Sequence, residues 1–322
     1  MARDAARPDS LEAPRKVRVT AADSVPLLER RARIVAALRS FLDGRGFVEV
    51  ETAVRIAAPA PEEHIDCPAV PPPSAPGVVG DRATTYLRAS PELQMKKLLA
   101  AGMERIYQIG PCFREGERGA RHNPEFTMLE WYRRGAGYLE LREDLKELLA
   151  AVSDAAPGLK RMDSPAEVLA VRDAYRRFAG WDPWSGEWDQ DRFDFDMAAK
   201  VEPAIRSMGG GVFLTDYPPA AASLALVSGE GEPYAERWEF YWDGIELANC
   251  FSELCDAAEQ RRRFERARAR RRELGEEEYP LDEEFLGSLP AIGRAAGAAL
   301  GVDRLVMALV GAGSIVDVRA AV

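Results

Sequence analysis

The segments FREGE (residues 113–117) and RHNPEFTMLEWY (residues 121–132) are the most informative part of this 322-residue chain. Residues 126–132 have the composition of a β-strand, and residues 106–109 form a second strand pattern before them. The polar, glycine-containing segment 114–124 lies between the two. This arrangement predicts a long antiparallel hairpin.

Helix and strand patterns continue on both sides of the hairpin. The first 24 residues show no periodicity and are typical of a flexible N-terminal arm. Hairpins mixed with helices over the rest of the chain predict an α+β fold with an antiparallel sheet rather than a doubly wound one. The predicted elements are helices at 26–42, from 90 onward, and at 139–152, 165–180 and 256–274, strands at 47–52, 212–214, 237–242 and 245–249, and a surface loop at 57–80.

The composition excludes several classes of protein. The chain has 43 Lys and Arg against 53 Asp and Glu, a net charge of −10, which disfavours a protein that coats nucleic acid. The four Cys and two His show no metal-ligand spacing, so we expect reduced thiols. No apolar run reaches the ~18–20 residues of a membrane-spanning helix, and the N-terminus lacks an apolar signal core. We therefore expect a cytoplasmic protein that does not bind membranes.

Four charged residues stand inside apolar, strand-like segments: Arg114, Glu246, Glu253 and Arg304. Two carboxylates and two guanidinium groups match a magnesium nucleotide, which needs oxygen ligands for the cation and planar donors for the phosphates. On one strand, Glu246 and Glu253 would face opposite sides unless a bulge or the strand end intervenes. Neither a GxGxxG nor a GxxxxGK[ST] nucleotide loop is present.

These charged residues belong to segments that resemble class II aminoacyl-tRNA synthetases of the lysine branch. The helix followed by GFVEVET (46–52) resembles motif 1, residues 113–132 resemble motif 2, and GVDRLVM (301–307) resembles motif 3. The segments YLRASPE (86–92) and GIELAN (244–249) are similar to those of elongation factor P lysine ligases, which are short paralogues of lysyl-tRNA synthetase.

This resemblance covers residues 25–322 and implies a class II synthetase catalytic domain, an antiparallel β-sheet flanked by helices. Motif 1 begins about twenty-five residues into the chain, so we expect no anticodon-binding OB domain. Motif 1 also implies a homodimer.

The resemblance implies that the protein binds ATP with Mg²⁺ and joins the α-phosphate to an amino-acid carboxylate. That step needs positioning and charge neutralisation rather than a general base, which accounts for the scarcity of His. The implied catalytic residues are Arg114, which would bridge the α-phosphate and the carboxylate, and Arg304, which would hold the triphosphate. Glu246 and Glu253 would hold magnesium. The other implied nucleotide contacts are Asn123 and Phe126 at the adenine, with Glu115, Gly116, Leu247 and Gly301 around it.

The implied amino acid is a diamino acid, whose two ammonium groups need at least two anionic or phenolic partners. Ala299 stands where lysyl-tRNA synthetases have Gly, and one methyl group changes which isomer fits by about 1–3 kcal/mol. The resemblance therefore implies (R)-β-lysine, with α-lysine as a poorer alternative, and a lysine side chain of elongation factor P as the acceptor. The implied substrate-binding residues are Ser90, Pro91, Glu92, Tyr132, Asn249, Glu253 and Ala299.

The chain departs from the family pattern at a few positions. Ala53 replaces the proline of motif 1. The acid of motif 2 is displaced by one residue, so either Glu115 or Glu117 takes its place. Cys250 stands where Gly is common, and Ser252 replaces the His of the ligases, as it does in the synthetases. The sequence offers no obvious base for deprotonating the acceptor amine.

Three other functions compete with an elongation factor P ligase. The first is a truncated lysyl-tRNA synthetase, although the net charge of −10 disfavours tRNA as a partner. The second is a non-catalytic regulatory paralogue, which would be expected to have lost phosphate-binding Arg or metal-binding Glu residues. The third is an amide-forming ligase for aspartate and ammonia, which Glu92 and Tyr132 disfavour because they suit a cationic substrate.

Overall fold

The computed structural model describes residues 21–72 and 84–319. Its first helix begins at Ala21, so the last four residues of the predicted arm are helical, and the rest of the arm lies outside the described residues. The helices are α1 Ala21–Gly44, α2 Glu92–Ala100, α3 Tyr138–Ala155, α4 Val171–Ala174, α5 Gln190–Asp196, α6 Glu202–Met208, α7 Ala257–Leu274, α8 Glu283–Ile292 and α9 Val302–Val310.

Two sheets are formed by the described strands. One has nine strands, of which eight run in the order β1-β5-β6-β12-β11-β10-β8-β7 while β9 pairs with β10; the other contains β2, β4 and β3. The strands are β1 Val48–Glu49, β2 Arg55–Ile56, β3 Ala69–Val70, β4 Thr85–Leu87, β5 Arg105–Phe113, β6 Glu125–Arg134, β7 Glu167–Ala170, β8 Gly211–Tyr217, β9 Val227–Ser228, β10 Tyr234–Trp242, β11 Ile245–Ser252 and β12 Ala295–Gly301.

The centre of the large sheet is antiparallel, as predicted, and the predicted hairpin is β5 and β6, paired from Arg105↔Arg133 to Phe113↔Glu125. Only its outer pairs, β1 with β5 and β7 with β8, are parallel. The fold is therefore α+β. Among the residues that the structure describes, no helix is both long enough and apolar enough to cross a membrane.

The predicted helix at 165–180 is wrong in its first part. Residues 167–170 form β7, which pairs with residues 212–215 of β8. Helical structure begins only at Val171, and a π-helical turn from Tyr175 to Ala179 ends at Gly180 in the left-handed conformation. The backbone groups at the edge of β8 need hydrogen-bond partners, and β7 supplies them. The periodicity of residues 165–180 does not show that β8 needs a neighbouring strand.

The two faces of the large sheet have different surroundings because side chains alternate along each strand. One face packs its apolar residues, among them Trp131, Trp238 and Leu300, into the main core with α1, α3 and α9. The opposite face carries polar and small residues from the same strands, including Glu130 and Gly297, and borders a cavity. At one end of this face, α2, α7 and α8 form a separate apolar cluster.

The backbone at Ala53 is held by a buried arginine. Arg88 is 1% exposed, and its Nη1 donates hydrogen bonds to the carbonyl oxygens of Thr52 at 2.9 Å and Ala53 at 3.4 Å. Its Nε donates to the carbonyl of Pro111 on β5. The guanidinium thus holds the backbone of residues 52 and 53, where the family has proline.

Candidate active site

A cavity of about 370 Å³ lies on the polar face of the sheet. Most of the predicted site residues line it together. The nucleotide set contributes Arg114, Asn123, Phe126, Glu246, Leu247, Gly301 and Arg304, and the substrate set contributes Ser90, Glu92, Tyr132, Asn249 and Ala299.

Four predicted residues do not line the cavity. Glu115 and Gly116 are exposed in the hairpin loop, while Glu117 lines the cavity, with its carboxylate 3.6 Å from Nη1 of Arg114. Of the two candidates for the displaced acid of motif 2, Glu117 is the one that lies in the cavity beside Arg114. Pro91 is buried immediately before α2, and Glu253 is buried beneath the cavity wall.

At one end of the cavity, Arg304 joins three elements. It stands in the first turn of α9, and its Nη1 donates to Oε2 of Glu246 at 3.0 Å and to the backbone carbonyl of the same residue at 3.1 Å. Its Nε donates to the carbonyl of Arg121 at 3.2 Å, and its Nη2 donates to Nε2 of His122 at 2.8 Å. Because a guanidinium has no acceptor, this contact requires His122 to be neutral at Nε2. Burial, followed by the charge of Arg304, lowers the pKa of His122 and favours that form.

Arg114 lines the cavity directly after β5. Its guanidinium carbon is 5.2 Å from the centre of the Phe126 ring, a cation–π distance. Its Nε is buried and has no hydrogen-bond partner among the described residues. A buried donor without a partner is costly, so this group is prepared for an anionic ligand.

The hairpin and α9 are held together behind these arginines by Asp303, which is 1% exposed. Its Oδ2 accepts a hydrogen bond from the backbone N–H of Thr127 at 2.8 Å, and its Oδ1 lies 2.5 Å from Nη1 of Arg31 on α1. Arg319 also reaches Oδ2, at 3.2 Å. One carboxylate therefore connects the segments that resemble motifs 1, 2 and 3.

A β-bulge brings Glu246 to the cavity. Ala248 pairs with Phe240 but Glu246 pairs with Tyr241, so Leu247 is an extra residue on β11. Glu246 and Asn249 consequently line the same cavity although they are three residues apart. Beyond the last residue of β11, Ser252, lies Glu253. A bulge and the strand end therefore both lie between Glu246 and Glu253, so strict alternation does not fix their faces.

The other end of the cavity is rich in carboxylates. Glu130 is 2% exposed, and its Oε2 accepts a hydrogen bond from the hydroxyl of Tyr132 at 2.9 Å. Burial, reinforced by the neighbouring charge of Glu92, raises the pKa of Glu130 to about 8. Glu92 occupies the first turn of α2, where the hydroxyl of Ser90 accepts its backbone N–H at 3.1 Å. The helix predicted from 90 onward is therefore present, but it begins at Glu92 with Pro91 as its N-cap.

Glu253 is paired with Lys96, which is not among the predicted site residues. Oε2 of Glu253 and Oε1 of Glu92 each lie 2.5 Å from Nζ of Lys96, and the Lys96 and Glu253 side chains are each 1% exposed. Burial raises the pKa of Glu253 to about 8 despite this pairing. Glu246, in contrast, is 39% exposed and pairs with Arg304. The predicted metal pair is therefore divided between two different ion pairs.

Gly297 on β12 makes room for these groups. A methyl group at this position would lie 2.2 Å from Cε1 of Tyr132 and 2.8 Å from Oε1 of Glu253. Only glycine permits so close an approach, and the neighbouring Ala299 is similarly small. In the strand register, Ala299 stands between Glu130 on β6 and Asn249 on β11.

The two departures on β11 have structural roles. Cys250 is completely buried on the core face, opposite Trp238 and Ala298. The hydroxyl of Ser252 accepts the backbone N–H of Tyr138 at 3.0 Å, at the start of α3. Neither side chain lines the cavity.

The sequence reading missed several cavity residues. Glu239 accepts hydrogen bonds from Arg237 at 2.6 Å and from the hydroxyl of Tyr241 at 2.7 Å, and it pairs in register with Asn249. Nε of Arg237 donates to the side-chain oxygen of Asn249 at 3.1 Å. Glu130 lies inside the very segment quoted for motif 2, and its single charge within an apolar strand was the available signal.

The donor set suits a magnesium ion that arrives with phosphates. Glu246 presents a half-exposed carboxylate at the arginine end, and Glu239 is a second carboxylate on the cavity wall. Across the residues that the structure describes, no group of three or more His, Cys, Asp or Glu side chains forms a ready metal site. Magnesium commonly uses one or two carboxylates together with substrate phosphates, so the fit rests on Glu246.

A central antiparallel sheet that carries an arginine before the hairpin loop and a second arginine on the helix after the last strand defines a class II synthetase catalytic domain. Comparison with known families agrees, because the family described as tRNA synthetases class II (D, K and N) matches residues 13–320.

Comparison with individual proteins narrows the family further. An elongation factor P–(R)-β-lysine ligase of Proteus mirabilis (strain HI4320) is 39% identical over 322 residues, which covers 92% of this chain and 95% of that protein. Proteins of the same name from Salmonella heidelberg (strain SL476) and Photorhabdus laumondii are 38% and 39% identical, over 92% and 91% of this chain and 95% and 94% of their own lengths. The chain therefore belongs to the class II tRNA synthetase family and, within it, to the elongation factor P–(R)-β-lysine ligases.

Proposed function

We propose that this protein uses ATP to convert (R)-β-lysine, or lysine, into an aminoacyl-adenylate and transfers the aminoacyl group to a lysine side chain of elongation factor P. The observation that carries the proposal is one cavity with guanidinium groups at one end and the carboxylates Glu92, Glu130 and Glu253 in or beneath its wall at the other. The names of the relatives supply the particular amino acid and acceptor.

The roles of the residues follow from their places. A diamino acid would put its ammonium groups at the carboxylates and its own carboxylate toward Arg114. Arg114 would then neutralise charge where a carboxylate oxygen attacks the α-phosphorus and pyrophosphate leaves. Arg304 would hold the departing phosphates, and Phe126 and Asn123 would contact the adenine. Magnesium, held by Glu246 with Glu239 nearby, would supply further neutralisation of the phosphates.

The decisive experiment measures amino-acid-dependent exchange of pyrophosphate into ATP, followed by the mass of elongation factor P. We expect exchange with (R)-β-lysine, weaker exchange with α-lysine, and a mass increase of elongation factor P equal to one aminoacyl group. A parallel assay with tRNA tests the alternative of a truncated synthetase. Exchange without any dependence on a diamino acid, or no exchange at all, would contradict the proposal.

The affinity for the diamino acid is expected to depend on pH. The pKa values of Glu130 and Glu253 are raised to about 8, so both carboxyls hold protons at lower pH and must release them to accept an ammonium group. The KM for the amino acid should therefore fall as pH rises from 6 to 8, by about tenfold per pH unit for each proton released. Steady-state exchange at saturating ATP measures this, and a KM that stays constant across this range would refute the electrostatic account.

Isomer selectivity is expected to change in Ala299→Gly. The methyl group of Ala299 lies between Glu130 and Asn249 in the strand register, so its removal enlarges the amino-acid end of the cavity. We expect the ratio of kcat/KM values for α-lysine over (R)-β-lysine to rise about tenfold or more. The substitution removes one methyl group and leaves the neighbouring Gly297 unchanged. An unchanged ratio would show that this wall does not select the isomer.

We also propose a homodimer and a cytoplasmic location. Val48 in the edge strand β1 is 52% exposed, beside α1, and both belong to the segment that resembles motif 1. An exposed apolar residue on an edge strand favours a partner there. The proposed substrates, ATP and a translation factor, are cytoplasmic.

A further inference from the structure

Lys96 is an unusual residue in this molecule because its charged end is buried. The side chain is 1% exposed, and its Nζ lies 4.9 Å from the ring centre of Phe251, which packs against the apolar cluster of α2, α7 and α8. Lysine is almost never fully buried unless it is paired. Here two carboxylates, Glu92 and Glu253, raise its pKa although burial opposes them, so the ammonium group stays charged.

The ion pairs use one oxygen of each carboxylate. Nζ of Lys96 is 2.5 Å from Oε1 of Glu92 and 2.5 Å from Oε2 of Glu253. The second oxygen of Glu253, Oε1, is buried and has no hydrogen-bond partner among the described residues. It points to the side of Gly297, where a methyl group would be 2.8 Å away and would also strike Tyr132. Tyr132 and Gly297 line the cavity, so this free oxygen lies next to the amino-acid end.

The net charge at the amino-acid end of the cavity is complementary to that of a diamino acid. When Glu130 and Glu253 are deprotonated, the carboxylates Glu92, Glu130 and Glu253 together with the ammonium of Lys96 have a formal charge of −2. Glu62 also lines the cavity, but burial, followed by the charge of Glu92, raises its pKa and favours its neutral form. Two ammonium groups of a bound diamino acid would neutralise this net charge. Without Lys96, three carboxylates would face two cations, and mutual repulsion would favour protonation of one of them.

Stability does not account for this arrangement. Desolvating three charged groups costs about as much as their attraction returns, so apolar residues of similar volume would hold α2 against β11 at least as well. Its geometry instead suits recognition, because a carboxylate held at one oxygen presents the other in a defined direction.

We propose that Lys96 is a positioning residue for amino-acid recognition: its ammonium group holds one oxygen of Glu92 and one of Glu253, so that their remaining oxygens face the two amino groups of the bound diamino acid. This inference rests on the proposed function and deepens it. Lys96 itself does not touch the substrate; it acts through the two carboxylates.

The test is the variant Lys96→Met, which removes the charge and keeps the length of the side chain, measured by pyrophosphate exchange with (R)-β-lysine. We expect the KM for the amino acid to rise about 100-fold, because one partner of a buried charge pair is lost, while the KM for ATP remains at the wild-type value. A purely structural role would change both KM values or neither.

The matched control is Lys97→Met. Lys97 is the next residue of α2, but its ammonium group pairs with Asp282 at 2.8 Å and Glu284 at 2.7 Å, and it does not line the cavity. We expect both of its KM values to equal those of the wild type. Since the wild-type enzyme is measured first, its failure to support exchange with any diamino acid would reject the proposed function, whereas an active wild type with an unchanged Lys96→Met would reject only the role of Lys96.

Should Lys96→Met not fold, as judged by circular dichroism, Lys96→Arg replaces it. Arginine keeps the buried charge, but its planar guanidinium cannot place the two carboxylates as the compact ammonium does. We expect the KM for the amino acid to rise about tenfold or more at unchanged KM for ATP. A wild-type KM, or a failure of both variants to fold, would overturn the proposal, since the latter assigns Lys96 to the stability of the fold.

Discussion

Replacing Arg114 by alanine is expected to lower the kcat of pyrophosphate exchange by about 10³-fold. Its guanidinium lines the cavity beside the Phe126 ring, and its buried Nε has no partner among the described residues. The group is thus placed to neutralise charge that develops in the transition state, which affects kcat more than binding. Steady-state exchange kinetics at saturating ATP and amino acid measure the loss.

Arg272→Ala is the control for this prediction. Arg272 lies in the last turn of α7, is exposed, and pairs with Glu278 on the surface, so its loss removes one positive charge without altering the cavity. Its kcat should equal that of the wild type. If Arg114→Ala kept most of the wild-type kcat while its circular dichroism spectrum was native, Arg114 would not be the residue that stabilises the reacting phosphate.

Replacing Arg304 by alanine is expected to raise the KM for ATP about 100-fold or more. Arg304 holds Glu246 at 3.0 Å and the hairpin residues Arg121 and His122 at 3.2 and 2.8 Å, so it organises the arginine end of the cavity. Its loss removes a hydrogen-bond donor to the phosphates of ATP and leaves the carboxylate of Glu246 without its cation. The KM for the amino acid, whose proposed ammonium partners lie at the other end, should remain close to that of the wild type.

Arg304→Lys distinguishes charge from geometry. Lysine retains the positive charge but offers no planar fork, and it cannot contact Glu246, Arg121 and His122 at the same time. We expect it to recover only part of the ATP affinity. Equal increases of both KM values in Arg304→Ala would indicate that the arginine serves the whole cavity rather than nucleotide binding.

Local patterns predicted much of the fold. The hairpin of β5 and β6 depends on neighbouring residues and is confirmed, and the helix predicted from 90 onward begins at Glu92. The helix predicted at 165–180 failed because the pairing of residues 167–170 with β8 outweighs local helical periodicity. The edge of a distant strand decides that segment, so no reading of the segment alone could have found it.

Predicted site residues that one motif supplied line a common cavity, whereas contacts between separate segments were missed. The resemblance to motifs 2 and 3 identified Arg114 and Arg304, and both line the cavity. It could not choose between Glu115 and Glu117, since the path of the loop makes that choice. It also gave Glu253 a metal role, whereas the structure pairs this carboxylate with Lys96, 157 residues away along the chain.

What the sequence determined by itself was the set of elements, the α+β class and the four charged groups at the centre of the proposed chemistry, because periodicity, caps and motif spacing are local properties. Only the tertiary structure decided which oxygens are free and which are paired. It placed Glu246 on the cavity face through the bulge at Leu247, and it buried Lys96 between two carboxylates. Burial and ion pairing are set by atoms that are distant in the chain and close in space, so the charge balance of the amino-acid end exists only once the sheet and α2 have packed together.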